Sequence, residues 1–222
     1  MMMPLGDGHA LARRMVVGLE PRYGESAIRL DGMPRSDDIL KLPPDLPPPI
    51  DDGGAHHLPG AAIPPVALLS TDGHRVDVSQ LSGTTVLYCY PRTGRPDQEP
   101  PDGWNAIPGA RGCTPQSCAF RDHHRELQAL NARVFGLSTQ DTAYQREAVE
   151  RLHLPFSLLS DAELRLATAL GLPVFQVDSM RLLKRLTLIV RDGIVAHVFY
   201  PVFPPDRNAE EVTRWLRANP VA

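Results

Sequence analysis

Two cysteines, Cys113 and Cys118, stand five residues apart in the segment GCTPQSCAFRD that runs from Gly112 to Asp122. A thiolate attacks electrophiles, so the first question is whether either sulfur is held as one. Cys113 directly precedes Thr114-Pro115, which reads as a helix start: Thr114 can serve as the N-cap and Pro115 fits the first helical position. The first amides of a helix lack carbonyl partners and the dipole is positive at that end, and both favour an anionic sulfur. The position therefore predicts a reactive Cys113; the competing reading is a small apolar side chain at a loop end. Cys118 falls about a turn and a half further on. In an unbroken helix, residues five apart have Cα atoms ~8.6 Å apart, whereas a disulfide needs about 4.4–6.8 Å. If the helix reaches back to Cys113, a helical form would react and only a locally unwound form could carry a bridge. The alternative for Cys118 is a buried helix cysteine packed beside Phe120.

A metal site is the other use for such residues, since His123 and His124 follow closely and Cys with His can bind zinc. The C-x4-C spacing lacks a second C-x2-C or H-x3-H half, and Cys118 and His123 face differently on a helix, so both histidines read as solvated helix residues. The missing C-x2-C also disfavours the dithiol chemistry of thioredoxin itself. Cys89 lies in the middle of TTVLYCY and reads as a core side chain.

The elements that must position these sulfurs follow from the pattern. Val66–Leu69 and Arg75–Val78 flank Asp72-Gly73 as a hairpin. Thr84–Tyr90 is β-branched and aromatic, a buried strand that Pro91 ends. Arg92–Gly112 is rich in proline and glycine, and a loop of that length in a compact domain is usually functional or mobile. The helix opened by Thr114 carries Phe120, Leu127 and Leu130 on one face. Then come a strand at Arg133–Leu137, a helix ending near Leu152, a strand at Phe156–Leu159, and a helix capped by Asp161 and ended by Gly171 and Pro173. A hairpin follows, Arg185–Val190 with Ile194–Phe199, and a last helix spans Asn208–Ala218. This order implies an α/β fold, a mixed central sheet flanked by helices in a thioredoxin-like layout.

Composition bounds the rest. The chain has 222 residues and a formal net charge of −3, with 23 Lys+Arg against 26 Asp+Glu, which argues against broad nucleic-acid binding. No apolar run reaches the ~18 residues of a membrane helix, and the N-terminus lacks the compact apolar stretch of a secretory signal. Three cysteines do not make a disulfide scaffold, so a reducing, cytoplasmic location is expected. Prolines crowd between Pro43 and Pro65, where no helix can form. Residues 1–57 are read as a Pro-rich N-terminal extension, poorly ordered at least to Asp38 with a short amphipathic piece at Ala10–Leu19, and residues 58–222 as the domain.

The segment GCTPQSCAFRD resembles the active-site helix of the peroxiredoxins, in the bacterioferritin-comigratory-protein or peroxiredoxin Q group. VLYCYP, FGLSTQD, PFSLLSD and KRLTLIVRDG match the flanking strands and loops of that group in order, over about Pro65 to Phe203. The resemblance implies a thioredoxin fold and a thiol-dependent peroxidase that needs no metal, flavin or haem. It makes Cys113 the peroxidatic cysteine and Cys118 the resolving cysteine, joined as an intramolecular disulfide, and puts Arg185 in place of the arginine that supports thiolate and peroxide. The implied partners are a hydroperoxide and a reductant, thioredoxin or glutaredoxin, with the chain a monomer or weak dimer. Two positions depart from the resembled pattern: its hydroxyl residue falls on Ala110 and its proline on Ala106. The hydroxyl that orients the peroxide would then come from Thr114 or Thr93. A non-catalytic redox sensor on the same fold is the alternative function, and a zinc-binding structural domain a second.

Overall fold

A computed structural model describes residues 38–221; the expected disorder before Asp38 and the amphipathic piece at Ala10–Leu19 lie outside them. The chain forms β1 (Ala67–Ser70), β2 (Arg75–Asp77), β3 (Thr84–Cys89), α1 (Cys113–Asp122), α2 (His124–Ala129), β4 (Ala132–Ser138), α3 (Thr142–Leu152), β5 (Leu158–Ser160), α4 (Arg165–Leu170), β6 (Val174–Val177), β7 (Met180–Leu183), β8 (Leu186–Arg191), β9 (Ile194–Phe199) and α5 (Asn208–Ala218). Seven strands make one mixed sheet in the order β2-β1-β5-β4-β3-β8-β9. The β3–β4 and β4–β5 pairs are parallel, and β8 lies antiparallel to β3. This is the thioredoxin-like layout that the element order implies.

β3 lies inside the sheet between β4 and β8, and all six of its residues are buried. Its side chains alternate between faces, as the two-residue period of a strand requires. Leu87 and Cys89 enter one core with Leu58, Leu137, Leu188 and the α4 residues Leu166 and Leu170. Val86 and Tyr88 enter the other with Phe120, Leu127, Ile189, Val212 and Leu216, beneath α1, α2 and α5. A strand covered on both faces reads as an unbroken apolar run, which is why TTVLYC carries no polar alternation.

Three local expectations are corrected. α1 begins at Cys113, and its N-cap is Gly112 in the left-handed region at φ 102°, with no side-chain cap bond. Thr114 is therefore inside the first turn rather than at its cap; Pro115 is tolerated there because the first-turn amides have no carbonyl to reach. The helix expected to carry Phe120 through Leu130 breaks at His123 into α1 and α2, although Phe120 and Leu127 are both fully buried. The β6–β7 hairpin was not anticipated. Its turn passes through Asp178 at φ 51°, and its residues Val177 and Leu182 pack with Trp104 and Ala110 of the Arg92–Gly112 loop. That loop thus has a small core of its own, including a 3-10 turn at Trp104–Ala106.

Residues 38–57 lie against the domain. Ala55 joins the core beside Leu58, Asp52 accepts from Tyr200 Oη at 2.6 Å and pairs with Lys184, and a ring nitrogen of His57 lies 3.1 Å from the Leu170 carbonyl.

Asp161 caps α4 from outside, across a left-handed Leu164. Its Oδ1 accepts from the amides of Arg165 (2.7 Å) and Leu166 (3.2 Å), and its Oδ2 from Ala167 (2.8 Å), while the residue is only 1 % exposed. Replacement by alanine leaves three amides of the first turn without this acceptor. Asp161→Ala is expected to lower stability by about 1–3 kcal/mol in urea denaturation, with Asp161→Asn recovering part of the loss. An unchanged urea midpoint in the alanine variant would contradict this assignment.

Candidate active site around Cys113

The start of α1 places Cys113 where the strand β3 ends and the Arg92–Gly112 loop returns. Cys113 is 3 % exposed, and its sulfur meets two groups. Arg185 Nη2 donates to Sγ at 3.2 Å, and the thiol faces the Ala110 carbonyl at 3.5 Å. The same Nη2 is shared with the carbonyls of Gly109 (3.2 Å), Ala110 (3.2 Å) and Arg111 (3.1 Å). One guanidinium therefore holds both the sulfur and the turn that leads into its helix.

Arg185 stands at the junction of β7 and β8, two residues past Leu183, and is itself 3 % exposed. Its Nη1 donates to Gln116 Oε1. Gln116 Nε2 donates to Asn208 Oδ1 at 3.0 Å, and Thr187 Oγ1 donates to the same oxygen at 2.6 Å. Gln116, Asn208 and Thr187 are fully buried, so α1, β8 and α5 converge on one polar chain behind the guanidinium. Among the described residues no carboxylate pairs with Arg185. The buried cation is therefore held only by neutral oxygens and one sulfur.

A cleft of about 30 Å³ opens at Cys113, lined by Thr114, Pro115, Thr93, Arg92 and Tyr144 together with Gln98, Pro101 and Trp104 of the loop. A water needs roughly 10–15 Å³ measured in this way, so the cleft admits a molecule of only a few heavy atoms without rearrangement. Ala110, fully buried, offers it no hydroxyl. Thr93 and Thr114, the expected substitutes, both line it. Thr93 Oγ1 already donates to Gln140 Oε1 at 3.2 Å, and so presents acceptor lone pairs.

The other sulfurs differ. Cys118 is half-buried in the unbroken α1, and burial raises its thiol above the ordinary value, opposed by the charge of Arg121. Cys89 is fully buried, and desolvation pushes its thiol well up, in keeping with a core role. All three cysteines are free. His124 packs its ring 5.6 Å from Phe156, and among the described residues no group of three or more His, Cys, Asp or Glu is arranged to hold a metal.

The structure thus brings Cys113 and Arg185 together and sets Cys118 further along the same helix. Gln116, Asn208, Thr187 and Arg111 escaped the sequence reading. Gln116 lies inside the GCTPQSCAFRD motif, yet its partner Asn208 is 92 residues away, and no local pattern marks such a pair.

The Redoxin family matches residues 58–213 of the chain. Peroxiredoxin Q of rice chloroplasts (Oryza sativa subsp. japonica) is 30 % identical over 161 residues, which are 72 % of this chain and 66 % of the relative; the chain thus spans just under two thirds of that protein. The chloroplast peroxiredoxin Q of Suaeda salsa is 29 % identical over 161 residues, 72 % of this chain and 67 % of the relative. Among solved structures, the peroxidoxin BcpB of Mycobacterium tuberculosis superposes with a TM-score of 0.61 at 26 % identity, covering 74 % of this chain and 100 % of that one. Peroxiredoxin Q of Xanthomonas campestris, at 20 % identity, shares the fold with a TM-score of 0.58 over 73 % of this chain and 97 % of its own.

Gly112 tests the geometry of the helix start. It has φ 102°, and a Cβ there would strike Pro205 and Leu42. Gly112→Ala is expected to cost about 2 kcal/mol or more from strain and crowding together, seen as a lowered melting temperature. Gly109→Ala, at φ 76° with Pro49 Cβ 3.4 Å from the new atom, should cost less. Equal melting temperatures for the two variants and the wild type would refute the tight seating of Gly112.

Proposed function

Because the chain belongs to the redoxin family, we propose that it is a thiol-dependent peroxidase whose reacting atom is Cys113 Sγ. The observation that carries this reading is the buried, carboxylate-free Arg185 guanidinium donating to that sulfur at 3.2 Å. Thiolate attacks the terminal oxygen of a hydroperoxide: a sulfur–oxygen bond forms, the oxygen–oxygen bond breaks, and the departing oxygen takes a proton to leave as water or an alcohol. Cys113 is left as a sulfenic acid. Arg185 stays fixed while charge moves from sulfur to the leaving oxygen, so its stabilisation requires no rearrangement. The small cleft favours hydrogen peroxide over bulky hydroperoxides unless the Arg92–Gly112 loop yields.

Cys118 then attacks the sulfenic sulfur, hydroxide departs and is protonated to water, and a disulfide forms. α1 is continuous from Cys113 to Asp122, and at a helical separation of ~8.6 Å the first turn must open for this bond. An external dithiol, thioredoxin or glutaredoxin in our reading, restores both thiols by exchange. Free thiols suit a reducing compartment, for which we propose the cytoplasm.

Ala110 favours a second reading, a redox sensor that is oxidised once and recycled slowly, since one lost transition-state hydrogen bond costs ~10²–10³ in rate. Turnover with thioredoxin separates the two.

Peroxide consumption driven by a thiol reductant is expected to vanish in Cys113→Ser. Cys118→Ser should stop at sulfenic acid, without the loss of two hydrogens that marks the disulfide in intact-mass measurements. Consumption that survives in Cys113→Ser would overturn the assignment.

The second step also has a pH dependence. Because burial holds Cys118 above the ordinary thiol range, only a small fraction is thiolate at neutrality. Disulfide formation should accelerate about tenfold per pH unit between roughly pH 6 and 8, followed by stopped-flow fluorescence after one equivalent of peroxide. A rate that falls across that range would remove Cys118 as the attacking group.

A further inference from the structure

Residues 38–50 lie outside the family match, which begins at residue 58, yet they touch the loop before Cys113 at every turn. Arg111 Nη2 donates to the carbonyls of Asp38 (3.0 Å) and Lys41 (3.5 Å). Ile39 lines the cleft that holds Cys113. Leu42 and Pro205 both crowd the space beside Gly112 so tightly that no Cβ fits there, and Pro49 rests against Gly109. Further along, Asp52 anchors the segment through Lys184 and Tyr200, and Ala55 secures it in the core.

We propose that residues 38–50 are a positioning strap that braces the Gly109–Cys113 turn and so sets how readily the first turn of α1 opens. The proposal rests on the peroxidase reading, since the opening it controls is the one that lets Cys118 reach Cys113. The physical reason is geometric. Arg185 holds the turn from the inside, through the carbonyls of Gly109, Ala110 and Arg111. The strap holds the same residues from the outside. To unwind, Gly112 must leave its seat against Leu42 and Pro205, and Arg111 must leave the strap carbonyls. Attack on peroxide needs none of this, because it uses the closed helix. The strap therefore slows bridging while leaving the first oxidation untouched. A slow bridge leaves sulfenic acid exposed to a second peroxide, which carries the sulfur on to sulfinic acid with one further oxygen transferred and one water or alcohol released. The strap thus shifts the partition between recycling and overoxidation.

Leu42→Ala and Pro49→Ala loosen the strap's hold on Gly112 and Gly109 without altering a residue that lines the cleft. Two measurements on the full chain test the proposal. Hydrogen exchange over residues 112–119 of the reduced protein, with no peroxide present, should be several-fold faster in each variant, reading the brace directly. After one equivalent of hydrogen peroxide, disulfide formation should be about fivefold faster in Leu42→Ala, the size expected when opening no longer has to pull Gly112 away from a half-buried leucine side chain. Sulfinic acid under excess peroxide should fall accordingly, while the second-order rate of sulfenic acid formation stays within about twofold of wild type. Wild-type exchange and wild-type bridging in both variants would overturn the strap. Faster exchange in a protein whose wild type never forms sulfenic acid would instead overturn the peroxidase reading and leave the brace established.

Discussion

The site depends on one buried cation. Arg185 is almost wholly removed from water, and a guanidinium in that position is costly unless its donors are engaged and an anion lies close. Its two Nη groups reach Gln116, the three carbonyls of the 109–111 turn and Cys113 Sγ, while Nε is buried without a hydrogen-bond partner. Much else in the architecture serves that arrangement. β8 beside the central β3 carries Arg185 on its approach, α1 brings Cys113 and Gln116 in register, and α5 supplies Asn208 to fix the far end. Remove the packing of these three elements and the charge has no defined seat.

On the proposed peroxidase reading, the arrangement contains a conflict. A closed first turn of α1 sets the Cys113 sulfur at the start of the helix and against Arg185. The same closure keeps Cys118 too far away to bond with it. The proposed cycle uses both states, and contacts on the Gly109–Cys113 turn bear on the balance between them. Arg185 and Pro205 belong to the domain shared with the relatives; Leu42, Pro49 and the carbonyls of Asp38 and Lys41 belong to the segment before it. The Arg92–Gly112 loop adds a third influence. It is fastened to α3 by Arg151 on the Gly94 carbonyl at 2.9 Å and by Arg95 stacked 4.3 Å over the Tyr144 ring, and it rests through Trp104 on the β6–β7 hairpin. A long loop so anchored is a wall of the cleft, and it narrows what can reach the sulfur.

Much of this was written locally in the chain. The buried strand TTVLYC, the hairpin across Asp192-Gly193, the cap at Asp161 and the helix Asn208–Ala218 each follow from period, turn chemistry or capping, which act over a few residues. The cysteine at a helix start was likewise legible, although the start fell two residues earlier than a Thr114 cap suggested, because a left-handed Gly112 took the cap. The β6–β7 hairpin was missed because its apolar residues pack on a remote loop rather than on the main sheet.

The sequence by itself determined the fold class, the cysteine at the start of a helix and the five-residue spacing to the next sulfur, because helix geometry and side-chain period are local properties. Spacing alone leaves Arg181, Arg185 and Arg191 equivalent; the resemblance pointed to Arg185, and the tertiary structure sets its Nη2 on the sulfur. It alone joined Gln116 to Asn208 and laid residues 38–50 across Gly109 and Gly112. Those pairings span dozens of residues, and their partners are chosen by chain packing and by the need to satisfy buried polar groups, neither of which leaves a periodic mark in the sequence.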